Sequence, residues 1–67
     1  MEDQEILEQA LEHEEEAVRL YRDWAQQTDT VTLKEMFKQF ATNENWHAAA
    51  VRAKLEALTG QEEESVE

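Results

Sequence analysis

At 67 residues the chain holds at most one small domain, and without cysteine it has neither disulfides nor a thiolate metal site to support it. Seventeen acidic against six basic residues give a formal net charge of −11. That excludes the basic face needed by nucleic acid or an anionic membrane, and it favours cations.

A core this small normally needs a metal, partner chains or both. The N-terminal "MEDQEILEQ" has no basic region and no apolar run, so no signal peptide is expected and a cytoplasmic location is. No apolar stretch is long enough to span a bilayer.

The first helix is expected from about Asp3, a plausible N-cap, to about Gln27. Its seam reads Leu7, Leu11, Glu14, Val18, Tyr21 and Ala25, spaced alternately four and three. A second stripe runs through Ile6, Ala10, His13, Ala17, Leu20 and Trp24. The polar break "TDT" follows. The second helix is expected from about Leu33 to about Thr59, with a capping box at Thr32 and Glu35 and a staple between Val31 and Met36. Its seam reads Leu33, Phe37, Phe40, Glu44, His47, Val51, Leu55 and Leu58, with Trp46, Ala49, Ala50, Ala53 and Ala57 on neighbouring faces. Gly60 is a natural stop, and residues 61–67, "QEEESVE", read as an acidic disordered tail.

The expected fold class is therefore all-α: residues 1–60 form an antiparallel helical hairpin. It has more apolar surface than one hairpin can cover. At least a homodimer, completing a four-helix bundle, is expected, and the second stripes point to further assembly.

Three ionisable residues interrupt the seams. Glu14 lies about 15 residues before the centre of the break, and the midpoint of Glu44 and His47 about 16 after it. At ~1.5 Å per residue all three reach one level of the bundle. An isolated carboxylate in a bundle core costs several kcal/mol, roughly, unless something offsets it. A metal ion does so directly. Glutamate oxygens with a neutral imidazole suit iron or manganese, and residues i and i+3 such as Glu44 and His47 can share one ion. Di-metal bundles use one Glu from each of two helices and Glu-x-x-His from each of two others. This chain holds half of that set, and a two-fold dimer completes it. The competing readings are a wet-edge Glu14 and a core histidine bonded to a carbonyl.

These residues resemble the rubrerythrin-type ferritin-like proteins. The string "EEEAVRLYRDWA" matches their pattern at Glu14, Ala17, Tyr21 and Ala25, and "FATNENWHA" matches at Glu44, His47 and Ala48. The resemblance covers roughly residues 5 to 58. Full members carry four helices in one chain. Two helices look like the encapsulated ferritins, whose subunits pair around a shared di-iron site and assemble further into a ring-like decamer. The resemblance implies Glu14, Glu44 and His47 as iron ligands and Tyr21 as the tyrosine near the iron, either bonding a ligand carboxylate or donating an electron. A packed core aromatic is the other reading of Tyr21. It implies ferroxidase activity, oxidation of Fe(II) to Fe(III) in iron storage or detoxification. His13 and Glu16 could form an outer metal site, or be surface residues at an oligomer contact. Encapsulated ferritins usually end in an apolar-basic tag that docks in an encapsulin shell. "QEEESVE" has no such tag, so location inside an encapsulin compartment stays open. Two alternatives are a peroxide-reducing di-iron protein like the rubrerythrins, for which the missing cysteines would require a separate electron donor, and a non-enzymatic, metal-stabilised assembly module. A third is a plain acidic hairpin that takes a partner helix on its Ala and Trp stripes.

Overall fold

The computed structural model describes the backbone of residues 2–66 and the side chains of residues 2–60. It contains two helices, α1 (Asp3–Gln27) and α2 (Val31–Val66), joined by the three residues Thr28–Thr30. Facing partners move down α1 as they move up α2: Trp24 meets Phe37, Glu14 meets His47, and Glu15 meets Arg52. The pair is an antiparallel hairpin, as the all-α reading requires.

The helix ends follow from local chemistry. Asp3 and Glu5 place negative charge in the first turn of α1, where the helix dipole favours it. The N-cap is Glu2 rather than Asp3, and its side chain makes no capping bond. Thr28 adopts an extended conformation that ends α1, its N–H donating to the Trp24 carbonyl at 3.1 Å. Its hydroxyl oxygen then accepts from the Thr30 N–H at 3.2 Å. α2 starts immediately afterwards, because the Lys34 N–H already donates to the Thr30 carbonyl at 2.9 Å. The capping box expected at Thr32 and Glu35 therefore lies inside the first turn, and Val31 is exposed.

α2 also continues through Gly60 to Val66, past the stop expected there. Gly60 has no positive φ. A glycine inside a helix costs only about 1 kcal/mol, and the glutamates after it are good helix formers. Residues 61–66 thus extend α2 instead of forming a separate tail, and Glu67 lies outside the described residues.

The two helices meet along alternating four-three spacings. In α1, Val18 and Ala25 are buried and Leu7, Leu11, Glu14 and Tyr21 half-buried, which is the expected seam. In α2 the seam is Phe37, Ala41, Glu44, Ala48, Val51, Leu55 and Leu58, with Ala41 and Ala48 buried. Leu33, Phe40 and His47, assigned to this seam from sequence, instead sit on its flank and are exposed. The alanines let the two backbones approach closely. Near the loop, Tyr21 stacks on Phe37 at 6.3 Å and meets Trp24 and Phe40 edge-on at 5.8 and 5.3 Å.

The hairpin is one layer thick, with extents of 56 × 19 × 12 Å. Its radius of gyration is 15.9 Å, against about 11 Å for a compact chain of this length. Its accessible surface is 5334 Å² for 7.9 kDa, where a compact monomer would expose roughly 4,400 Å². No large side chain is fully buried among the described residues.

The excess surface is organised. Residues one position before the seam of either helix lie on one broad side: Ile6, Leu20 and Trp24 from α1, Met36, Phe40 and His47 from α2, all exposed. We call this the open face. Residues one position after the seam lie on the opposite side, where Arg52 bonds Glu15 at 2.8 Å. Arg22, Gln26, Lys34 and Lys38 line a shallow cleft on this polar face. Trp46, 71 % exposed, points away from α1 on the back of α2.

Candidate metal centre

Glu14 sits near the middle of α1, and Glu44 near the matching level of α2; both are seam residues. The seam turns their carboxyl groups toward each other between the helices, where their side chains are only 20 % and 22 % exposed. His47, three residues and nearly one turn beyond Glu44, projects from the open-face side and is 60 % exposed. Its Nδ1 lies 3.5 Å from an Oε2 of each glutamate. One ligand atom from each of the three residues falls within 4.8 Å of the other two.

Those separations are within ion-pair range but do not make good hydrogen bonds. Glu14 Oε2 is buried and has no hydrogen-bond partner among the described residues. Buried polar atoms are rarely left so, because desolvation is then uncompensated. Three donors facing one point, one of them orphaned, describe a position prepared for a cation. Two carboxylates and an imidazole are the hard and borderline donors that iron and manganese take. The residues present fit such an ion.

The geometry separates the sequence candidates. Glu14, Glu44 and His47 are brought together. Tyr21, two turns along the seam from Glu14, has its ring among Trp24, Phe37 and Phe40. His13 and Glu16 are both exposed and outside the cluster, and Glu16 is held by the Arg19 guanidinium one turn on. The Glu15–Arg52 pair behind the cluster was not anticipated from sequence. A basic residue opposite a glutamate across a hairpin becomes visible only once the register is known.

The family description of rubrerythrin matches residues 5–67. The chain belongs to the rubrerythrin family. Comparison with curated proteins and with solved structures gave no match. Rubrerythrin membership implies a ferritin-like di-iron site and a redox enzyme. In this rubrerythrin-family chain the carboxylate and imidazole donors for one ion are gathered at mid-height of the hairpin. No helix among the described residues is long and apolar enough to cross a membrane.

Proposed function

We propose that this chain is half of a ferritin-like ferroxidase whose di-iron site is completed by a second copy docked on the open face. The orphaned Glu14 oxygen beside Glu44 and His47 is the observation that carries the reading. Three protein donors leave an ion's remaining positions unfilled, and His47 carries the cluster to the side where the apolar residues are uncovered. A two-fold related copy would bring its own three donors to the same level, because Glu14 lies near the middle of α1. Two copies supply four carboxylates, which balance the four positive charges of two Fe(II) ions.

Fe(II) is the substrate, and each ion gives one electron to dioxygen or peroxide and becomes Fe(III). The chain's residues set up that transfer. Glu14 and Glu44 hold negative charge in a poorly solvated seam, which favours the more highly charged product. His47 supplies a neutral donor and fixes the ion against the open face. The aromatic cluster around Tyr21 packs against the seam on the loop side of these residues. The pairing resembles the encapsulated ferritins, and a larger homo-oligomer such as a decamer, inside or outside a shell, is part of the same proposal. Manganese would fit the same donors. Membership of the rubrerythrin family supports a second reading at the same site, reduction of peroxide with electrons from a separate protein.

The test is an anaerobic Fe(II) titration of the metal-free chain, reading bound iron and molar mass together, followed by air or peroxide. One iron per chain, an even-numbered assembly and rapid oxidation by air support the ferroxidase. Rapid oxidation by peroxide alone selects the second reading. Iron binding unchanged in Glu14→Ala and His47→Ala would sink both. Removal of His47 should weaken binding by more than the 10–100-fold, roughly, that follows from losing even an outer partner of a ligand.

A further inference from the structure

The charge on this chain is segregated along the hairpin. Residues 19–43, the loop end, carry four basic and three acidic side chains, a net +1; all other residues carry two basic and fourteen acidic, a net −12. The antiparallel fold turns this sequence asymmetry into a spatial one.

On the polar face the segregation is ordered. Glu5, Glu8 and Glu12 follow one another along the open-end half of α1, all exposed. Glu15 comes next and is neutralised by Arg52 at 2.8 Å. Arg22, Lys34 and Lys38 then gather around one cleft near the loop, with Ala25 and Gln26 and no acidic residue lining it. None of these three cations is ion-paired among the described residues, where the ion pairs of Arg and Lys are Arg19–Glu16 and Arg52–Glu15.

We infer that the polar face docks on the polar face of a second copy, antiparallel about a two-fold axis, with Arg22, Lys34 and Lys38 of each chain against Glu5, Glu8 and Glu12 of the other. Such a surface is self-complementary. Acid followed by base along one face matches itself only when reversed, which is what a two-fold axis provides. Each contact occurs twice. Single exposed ion pairs are weak, but an array of them fixes orientation and responds strongly to salt. This contact lies on the side opposite the open face, so it stands or falls separately from the metal-site dimer.

The sign of the salt dependence tests it. Two chains of charge −11 repel, so simple screening would strengthen association as salt rises. The ladder requires the reverse. Molar mass of the full, iron-loaded chain is measured by light scattering between about 0.02 M and about 0.5 M salt, where the screening length falls to a few Å. The expected result is an assembly larger than a dimer at low salt that falls to the dimer at high salt. Lys34→Glu with Lys38→Glu should give only the dimer at low salt, with iron per chain unchanged. Adding Glu8→Lys and Glu12→Lys to that variant should restore the larger species by reversing the ladder. A mass that grows with salt, or one that does not fall as salt rises, overturns the inference. So does a larger species indifferent to the charge reversals. A dimer that falls to monomer bears out this contact and counts against the open-face pairing instead.

Discussion

His47 on α2 places its Nδ1 3.5 Å from the Oε2 of Glu14 on α1, across the seam that holds the hairpin together. The glutamate oxygen at that contact has no hydrogen-bond partner among the described residues. A candidate metal ligand and a structural weakness therefore coincide, and their effects on stability can be separated.

Glu14→Leu should raise the stability of the metal-free chain, by about 1–2 kcal/mol, because an unsatisfied buried oxygen is replaced by apolar volume. The same variant should lose the stabilisation that Mn(II) or Fe(II) gives the native chain. Thermal unfolding with and without metal reads both. A variant less stable than the native chain in the absence of metal would show that Glu14 is satisfied in some other way.

Ala48 is the most buried described side chain at 1 % exposure, next to His47 on the α2 seam. Enlarging it forces the helices apart at a fully buried point of the seam. Ala48→Leu should cost about 1–3 kcal/mol and weaken iron binding with it. Ala49→Leu, one residue on and exposed, should do neither. Equal denaturation midpoints for the two variants would contradict the observed seam.

Leu20 and Met36 are each 38 % exposed on the open face. Changing both to Lys leaves the seam intact and makes the face charged. The expected outcome in sedimentation at high salt, where the polar-face contact is screened, is a monomer that remains helical, since an apolar patch loses its drive to be covered when charges are placed in it. A dimer of undiminished affinity would place the partner elsewhere.

Gly60 has nothing within 4 Å of where a Cβ would stand and lies inside α2. Gly60→Ala should therefore stabilise the chain by about 0.5–1 kcal/mol through the helix interior alone. An unchanged midpoint in chemical denaturation would indicate that α2 ends functionally at Gly60.

The hairpin, the whole α1 seam and the gathering of Glu14, Glu44 and His47 were legible in the sequence. α1 could be read because its large apolar residues keep to two adjacent stripes and its remaining faces are charged or polar. α2 could not be read as well. Apolar residues occupy several of its faces, so two seams one residue apart both fit the pattern. The larger Phe40 and Leu33 pointed to the wrong one. Contact between closely packed helices selects small residues, and Ala41 and Ala48 took the places that bulkier residues seemed to claim. His47 consequently belongs to the open face rather than the hairpin interior. Position in the chain also misled at Gly60, where the segment after it had enough helix propensity to continue.

The two tryptophans stand on different sides of a one-layer molecule. Trp24 is on the open face and Trp46 on the back of α2. Each is thus a separate fluorophore for a separate surface. With Trp46→Phe, the emission of Trp24 should move to the blue as the open face is covered; with Trp24→Phe, the emission of Trp46 should stay red-shifted through the same step. An iron titration followed at both wavelengths would time the covering of one side against the other without any label.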